Sequence, residues 1–249
     1  MRLKDRVAIV TGAARGLGQA YCLALARQGA RVVAADILSC AETAAKVQDA
    51  GGEALGITVD ITDAQRTQAM AAQTVQRCRR IDILVNNAAV YGGLKLTPFE
   101  HIPEAEWDRV MAVNIKGIWL CCRAVMPTMK QQGQGKMINI ASDTIWMGVP
   151  LCLHYVASKG AVFALTRALA RPGIPVNTIG PGYTLTEAAQ HIADPETVAR
   201  LRAWVVDQQI IKRPEVPADL TGTVVLLASE DSHCITGQTI NVNGGATHH

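Results

Sequence analysis

The sequence T-G-A-A-R-G-L-G, residues 11–18, follows the apolar run Val7–Val10 and contains three glycines. A helix that begins where a buried strand ends presents free N–H groups and the positive end of its dipole, and both attract a phosphate. We interpret Gly12 as permitting the turn, Gly16 as permitting close approach of a pyrophosphate, and Gly18 as permitting the helix to pack on the sheet. The stretch therefore predicts a dinucleotide site near the start of an α/β fold.

Short apolar runs alternate with helical patterns along the rest of the chain. The continuous apolar runs, Val32–Ala35 for example, are typical of strands buried on both faces of a parallel sheet. Strands are predicted at 7–11, 31–35, 54–59, 81–86, 136–141, 174–179 and 238–242, and helices near 17–28, 40–50, 63–79, 104–130, 153–170 and 217–229. This alternation predicts a single doubly wound, Rossmann-type α/β domain over residues 1–249, with a seven-stranded parallel sheet and helices on both faces.

One long segment, 182–216, interrupts the alternation. It contains a helical pattern from Pro195 to Gln208 between polar turns. Because it follows the carboxyl end of a strand, where α/β folds bind their ligands, we predict a substrate loop or lid. A surface excursion without a role in binding is the alternative.

Composition restricts the class of protein. The chain has 249 residues, a mean hydropathy of +0.15 and a net charge of +3, and its basic residues are scattered except at 77–80, which argues against a nucleic-acid partner. Seven cysteines without a C-x-x-C pair predict neither a disulfide framework nor a metal site. The charged start of the chain lacks the apolar region of a signal peptide, and no apolar stretch of about 18 residues is evident, so we expect a cytoplasmic protein without a membrane partner.

Asp36 bears on the choice of dinucleotide. It ends the second predicted strand, where a carboxylate accepts hydrogen bonds from the adenosine ribose and repels a 2′-phosphate. Ile37, rather than a basic residue, follows it, so NAD is predicted over NADP. Arg15 argues against this preference for NAD, since its side chain could face a phosphate. The alternative for Asp36 is a solvated acid at a strand end without a role in binding.

A second cluster carries acid–base chemistry. Tyr155 and Lys159 are four residues apart on a helical pattern and share one face. The nearby ammonium is expected to lower the pKa of the phenol, which can then exchange a proton with an alcohol or a carbonyl. Ser142, at the end of the fifth predicted strand, is expected to hydrogen-bond the same substrate oxygen. Tyrosine and lysine at this spacing are often surface residues, but the glycine loop and the serine favour the catalytic interpretation.

These motifs together resemble the short-chain dehydrogenase/reductase family over essentially the full length. The matching stretches are residues 11–18, Asp60-Ile61, Asn86-Asn87-Ala88-Ala89, Asn114, Ser142, Tyr155–Lys159, Pro181-Gly182, 235–238 and 243–245. The resemblance implies a nicotinamide-dependent oxidoreductase that requires no metal and forms a homotetramer. It implies that Tyr155 is the general acid/base, that Lys159 also binds the nicotinamide ribose, and that Asn114 holds a water linking Lys159 to solvent.

The resemblance also implies the remaining cofactor contacts. Asp60 and Ile61 meet the adenine, Asn87 and Ala88 lie near the ribose, and Pro181 and Gly182 face the nicotinamide. Thr184 through its backbone and Thr186 through its hydroxyl hold the carboxamide or a phosphate, and Arg15 and Leu17 belong to the glycine loop. The sequence departs from the family pattern at two places. Ala89 stands where glycine is usual, and the helix end at Arg171-Pro172 is shortened, with Pro172 expected to stop the helix.

The predicted substrate end is apolar and aromatic. Its candidate residues are Tyr91, Thr144, Trp146, Val149, Leu153, His154, Tyr183, Ile210 and Ile211, with Cys152 as a further candidate and no arginine among them. We therefore expect a neutral, hydrophobic secondary alcohol or ketone. Ile145-Trp146, His154 and residues 216–222 resemble bacterial dehydrogenases of aryl or alicyclic secondary alcohols, such as those acting on 1-phenylethanol. Lid packing is the alternative for Trp146 and Tyr183, and a structural role for His154.

Two other functions remain open at this point. The first is an NADPH-dependent reductase acting on a ketone or a 3-ketoacyl thioester, against which Asp36 argues. The second is a catalytically silent dinucleotide-binding protein, against which the joint presence of Tyr155, Lys159, Ser142 and Asn114 argues.

Overall fold

The fold is built on one sheet of seven parallel strands, in a computed structural model that describes residues 1–170, 173–191 and 193–248. The strands are β1 (Val7–Thr11), β2 (Arg31–Asp36), β3 (Glu53–Thr58), β4 (Ile83–Asn86), β5 (Lys136–Ile140), β6 (Val176–Pro181) and β7 (Thr239–Val242). Their order across the sheet is β3-β2-β1-β4-β5-β6-β7. The order reverses between β1 and β4, so a crevice forms at their carboxyl ends, where such folds bind ligands. The predicted fold class and strands are confirmed.

Helices cover both faces of this sheet, as predicted. They are α1 (Gly16–Arg27), α2 (Ala41–Asp49), α3 (Ala64–Cys78), α4 (Glu104–Met111), α5 (Ile118–Gln132), α6 (Thr144–Met147), α7 (Leu153–Leu169), α8 (Pro195–Gln208) and α9 (Pro217–Ala228). The predicted helix 104–130 is divided, because a π-helical turn at Ala112–Gly117 separates α4 from α5. The four-residue α6 was not predicted, since one turn is too short to show a helical period.

Alternate residues of the strands enter two separate cores. In β1, Ala8 and Val10 contact the side covered by α1 and α9, whereas Val7 and Ile9 contact the side covered by α3, α5 and α7. The first core includes Tyr21, Leu25, Leu220 and Val224, and the second includes Leu84, Ile118, Val125 and Val162. Full burial of one such aliphatic side chain stabilises the fold by about 1.5–3 kcal/mol. The double-sided burial explains why the strands are continuously apolar rather than alternating.

The helical run Glu104–Gln132 differs from expectation in another respect. By length and composition it is apolar enough to cross a membrane, with a window of mean hydropathy 1.3, although the sequence suggested no such stretch. Its side chains Ile118, Cys121 and Val125 are buried in the second core, as those of a core helix are. The absence of a membrane partner therefore stays an expectation.

The segment 182–216 contains a 3₁₀ turn and α8. Asp194 caps α8, its side chain accepting a hydrogen bond from the Thr197 N–H, and Pro195 occupies the first turn. Before this segment, α7 ends at Leu169. The predicted stop at Pro172 and the shortened end at Arg171-Pro172 lie outside the described residues.

Candidate active site

A cavity of about 750 Å³ opens at the carboxyl ends of the central strands. Most of the predicted site residues line it: Gly12, Arg15, Gly16, Leu17, Asp36, Asp60, Ile61, Asn87, Ala88, Ser142, Tyr155, Lys159, Pro181, Gly182, Thr184 and Thr186. The exceptions are Gly18 and Asn114, which do not line it. Its volume is in the usual range for small-molecule and cofactor sites.

The glycine loop forms one end of the cavity. Gly12 has a φ of +65°, and a Cβ there would approach the Ala88 Cα to 2.7 Å. At Gly18 a Cβ would lie 2.0 Å from the Gly12 carbonyl oxygen. Both positions therefore require glycine for close packing of the loop on β4 and α1.

The N-terminus of α1 is suited to an anion. Arg15 occupies the N-cap with extended backbone and makes no side-chain cap hydrogen bond, and the first turn carries no acidic residue. The orphan N–H groups of this turn thus keep their hydrogen-bonding capacity beside the cavity. This arrangement fits a phosphate group of a dinucleotide.

Asp36 is fixed in place beside this helix. Its Oδ2 accepts a hydrogen bond from the Ala14 N–H at 3.0 Å, and its Oδ1 accepts one from the Leu38 N–H at 3.0 Å. The carboxylate is thus oriented rather than freely solvated, and it lines the cavity. The exposed side chains of Ile37 and Leu38 continue the wall, while Arg15 lines the same end. These contacts fit an adenosine subsite.

The polar anchor of the glycine loop is Thr11, the first residue of the motif, for which the sequence predicted no role. Its buried hydroxyl accepts hydrogen bonds from the N–H groups of Asn87 and Ala88, each at 3.1 Å. In return, Asn87 Nδ2 donates to the carbonyls of Thr11 and Gly12 at 2.9 and 3.0 Å. The Asn87 side chain therefore holds the loop to β4. Thr11 was inconspicuous in the sequence because it directly follows the continuous apolar run Val7–Val10 and is the last residue of β1.

Asn114 occupies the π-helical turn and is fully buried. Its Nδ2 donates to Ser158 Oγ at 3.0 Å and to the Val90 carbonyl at 3.2 Å, while its Oδ1 accepts from the Val90 N–H at 2.7 Å. The side chain therefore joins the turn to α7 at Ser158, the residue before Lys159.

The structure brings Ser142, Tyr155 and Lys159 together at the other end of the cavity. Ser142 follows β5, and its side-chain hydrogen bond with Tyr155 lowers the pKa of the phenol. Lys159 is one helical turn beyond Tyr155, and its ammonium donates to the Ile140 carbonyl at 2.8 Å and lies 5.7 Å from the centre of the Tyr155 ring. The three polar groups thus converge on one place where a substrate oxygen can bind.

The expected direction of the tyrosine pKa is wrong for this chain. Burial, the largest effect, raises the pKa of Tyr155 above its usual range, and it also lowers the pKa of Lys159 to about 8. The Lys159 ammonium bonds a carbonyl and lies over the ring, so it does not offset the loss of water around the phenol. The protein alone therefore holds Tyr155 as the protonated phenol.

Comparison with known proteins agrees with this geometry. The family described as Enoyl-(Acyl carrier protein) reductase matches residues 12–247. An uncharacterized oxidoreductase of Mycobacterium tuberculosis is 39% identical over 97% of each chain, and a 3-oxoacyl-[acyl-carrier-protein] reductase of Staphylococcus epidermidis is 34% identical over 97% of this chain and 98% of the relative. The crystal structure of levodione reductase superposes with a TM-score of 0.91 at 30% identity over 98% of both chains. The chain belongs to the short-chain dehydrogenase/reductase family. It is thus an oxidoreductase of a family whose members use a nicotinamide dinucleotide.

Several residues predicted for the substrate end of this family member lie elsewhere. His154 is fully buried, with Nε2 3.1 Å from Glu106 Oε1, and Trp146 packs edge-on against Phe163 with ring centres 4.8 Å apart. Leu153, Ile210 and Ile211 are exposed on the outer surface. The prediction that these five residues line the substrate pocket is wrong. The structural alternative for His154 holds, whereas Trp146 packs on Phe163 of α7 at the second core and not on the lid as its alternative supposed.

Other residues take their place. Tyr91, Thr144, Val149, Cys152 and Tyr183 line the cavity as predicted. They are joined by Leu94, Met147, Leu201, Trp204 and Val205. The last three are spaced i, i+3 and i+4 in α8, a pattern that could have identified them from the sequence. Tyr91 packs against Tyr155 with ring centres 5.0 Å apart.

The cavity of this oxidoreductase is not free of cationic side chains. Arg109 and Lys95 are exposed and line its mouth, so the expectation of a pocket without arginine is wrong. Ala89 also lines the cavity and is exposed, so its methyl group is accommodated. Among the residues that the structure describes, no group of three or more histidine, cysteine or acidic side chains is arranged to hold a metal ion.

Two buried carboxyls near Ser142 were not predicted. Burial raises the pKa of Asp143 to about 6, and the side chain accepts a hydrogen bond from Asn243 Nδ2 at 3.3 Å. Burial, together with the neighbouring Asp143, raises the pKa of Glu215 to about 7, and its Oε1 accepts a hydrogen bond from the Thr184 hydroxyl. Isolated acids after a strand or in a loop are usually solvated, so the sequence offered no signal for either one.

Proposed function

We propose that this enzyme transfers a hydride between NAD and a neutral, hydrophobic secondary alcohol or ketone of the aryl or alicyclic type. The observation that carries the proposal is the convergence of Ser142, Tyr155 and Lys159 on the apolar end of a cavity whose other end is the glycine loop. Hydrophobic and aromatic walls with few polar groups are typical of sites for small apolar ligands.

The chain's own residues account for the proton. Ser142 holds the substrate oxygen, and Tyr155 donates a proton to it in the direction of ketone reduction. Because burial keeps the phenol protonated, Tyr155 is ready to act as an acid, whereas alcohol oxidation requires that it first lose its proton. The Lys159 ammonium uses one of its three donors on Ile140, which leaves others for the nicotinamide ribose. When bound, the nicotinamide supplies the hydride chemistry.

The preference for NAD rests on Asp36. Its carboxylate is held at the adenosine end by two backbone N–H groups, so a 2′-phosphate would meet a fixed negative charge. Gly12, Gly16, Asp60, Ile61, Asn87, Ala88, Pro181, Gly182, Thr184 and Thr186 are proposed to complete the cofactor site.

A second candidate is an NADPH-dependent reductase of a 3-ketoacyl thioester. It is favoured by Arg15 at the adenosine end and by Arg109 and Lys95 at the cavity mouth, since cations attract phosphate groups. A panel of 1-phenylethanol, cyclohexanol, charged hydroxy acids and acetoacetyl-CoA, measured with both cofactors at the nicotinamide absorbance, separates the candidates. The proposal expects turnover of the neutral alcohols with NAD. A preference for hydroxy acids, or tighter binding of NADPH, would contradict it.

We also propose a homotetramer, with the exposed side chains of α4 and α5 at an interface. Trp107 is 37% and Trp119 is 44% exposed, unusual for the largest apolar side chain. Light scattering after size-exclusion chromatography, comparing the wild type with Trp119→Glu, tests this directly: the proposal expects four subunits for the wild type and fewer for the variant.

A further inference from the structure

The two ends of the 182–216 segment meet at one buried contact. Thr184 and Glu215 form an isolated parallel bridge, and the Leu185 N–H donates to the Glu215 carbonyl at 2.9 Å. The Thr184 hydroxyl donates to Glu215 Oε1, and the two residues are only 6% and 4% exposed. Backbone and side-chain hydrogen bonds thus hold the first and last residues of the segment together at its base. We call this contact, Thr184 with Glu215, the clasp.

The clasp adjoins the cavity. Thr184 and Gly182 line the cavity wall, and a Cβ on Gly182 would lie 3.0 Å from Glu215 Oε2. Glu215 is therefore packed directly behind this wall. Its Oε2 is buried and forms no side-chain hydrogen bond among the described residues. The Thr184 hydroxyl and the Gly182 N–H favour the ionised carboxylate, but burial is the largest effect and raises the pKa of Glu215.

The surroundings of Glu215 disfavour a negative charge. Asp143, which follows β5, and Asp219 of α9 both act on it as like charges, and Tyr21 of α1 faces it with a neutral, buried phenol. Arg213 is the nearby cation, but its guanidinium bonds both Asp219 oxygens at 2.7 Å and is exposed. An ionised Glu215 is therefore left without a paired cation, which is costly in a buried position.

We propose that Glu215 is a positioning residue for the dinucleotide: its buried carboxyl holds Thr184 and closes the base of the 182–216 segment, and loss of the Glu215 proton opens that segment. The link to the dinucleotide rests on the proposed function, whereas the clasp does not. Opening exposes the carboxyl to water, where its pKa returns to the ordinary value for glutamate, so deprotonation favours the open form.

Limited trypsin digestion of the enzyme without cofactor measures the opening. The exposed Arg200, Arg202 and Lys212 offer cleavage sites between the two ends of the clasp. From a carboxyl pKa of about 7 when closed and about 4.3 when open, the open population of the wild type rises about tenfold between pH 6 and pH 8.5. Cleavage at these sites, normalised to that of an unfolded protein at each pH, is expected to rise by the same factor.

Variants distinguish the clasp from a general change in the fold. Glu215→Gln keeps the size and an acceptor but cannot ionise, so its cleavage is expected to lose the tenfold rise with pH. Glu196→Gln, the same substitution at an exposed position of α8, is expected to behave as the wild type. If Glu215→Gln keeps the tenfold dependence, the proposal is overturned.

NADH fluorescence titration then tests the link to the cofactor. Thr184→Val removes the hydroxyl and is expected to raise the Kd for NADH about tenfold, and Thr184→Ser, which keeps the hydroxyl and therefore the clasp, is expected to raise it by a smaller factor. Wild-type affinity in Thr184→Val overturns the positioning role and leaves the proposed function standing. If the wild type does not bind NADH but shows the expected cleavage pattern, the proposed function is wrong and the clasp is still supported.

Discussion

The buried carboxyl of Glu215 makes the stability of the enzyme depend on pH in a calculable way. Its pKa is raised to about 7 in the folded protein, against about 4.3 in an unfolded chain. A raised folded-state pKa means that the stabilising contribution of the proton is complete below about pH 4.3 and is lost as the pH rises through about 7. Glu215→Gln keeps a neutral side chain at every pH and avoids this loss.

The magnitude follows from the two pKa values. Between pH 5 and pH 8.5 the wild type loses about 2 to 3 kcal/mol of unfolding free energy through this group. The difference in stability between Glu215→Gln and the wild type is therefore expected to grow by that amount over the same interval. Urea unfolding followed by circular dichroism, at fixed protein concentration and without cofactor, measures it.

The exposed Glu196→Gln provides the matched control, because an exposed carboxylate is screened by water and should leave the difference near zero at both pH values. A Glu215→Gln effect of equal size at pH 5 and pH 8.5 would refute the reasoning, since a change in packing alone does not depend on pH in this interval.

Three further predictions concern the glycine loop, the cofactor end and the substrate end of the cavity. Gly18→Ala should lower the free energy of unfolding by about 3 kcal/mol or more, because its Cβ would overlap the Gly12 carbonyl. The control Gly222→Ala, which has open space in α9, should raise that free energy by up to about 1 kcal/mol. Thermal unfolding of both variants measures the two changes, and equal effects would contradict the prediction. Asp36→Ser should weaken NAD binding and strengthen NADP binding about tenfold each, measured by calorimetry; an unchanged ratio of the two affinities would argue against the assignment of Asp36. Trp204→Ala should raise the KM for a neutral aryl alcohol and leave the Kd for NADH unchanged; equal changes in both constants would place Trp204 at the cofactor instead.

The fold was predictable because its strands and most of its helices show their hydrophobic periodicity in short stretches of sequence. Strands buried on both faces are continuously apolar, and each strand lies within two residues of its predicted bounds. The division of the 104–130 helix was not predictable, because Asn114 in the π-helical turn bonds Ser158 and Val90, which are distant in sequence.

The site was predictable in its motifs and less so in its environment. The glycine loop, Asp36, Ser142 and Tyr155 were placed from spacing, because their positions follow strand ends. The direction of the Tyr155 pKa shift could not be predicted from the sequence, because it depends on how completely the fold excludes water from the phenol.

The residues of the substrate wall could not be identified from the sequence either, because their orientation depends on the tertiary structure. His154 precedes Tyr155 by one residue but points to Glu106 on α4 rather than into the cavity, because adjacent residues of a helix face different directions. Trp204 lies in the 182–216 segment that was predicted as a substrate loop, but it was not among the candidate residues. Glu215, in the same segment, was given no role, because only the fold buries its carboxyl behind the cavity wall.

The central claim is that the Tyr155 phenol exchanges a proton with the substrate oxygen beside Ser142. Its most direct test is the kcat of Tyr155→Phe for reduction of acetophenone with saturating NADH, alongside the Kd for NADH. The account predicts a loss of kcat of about 10²–10⁴-fold with little change in NADH binding, because only the proton-donating oxygen is removed. A variant that retains turnover within about tenfold of the wild type would contradict it.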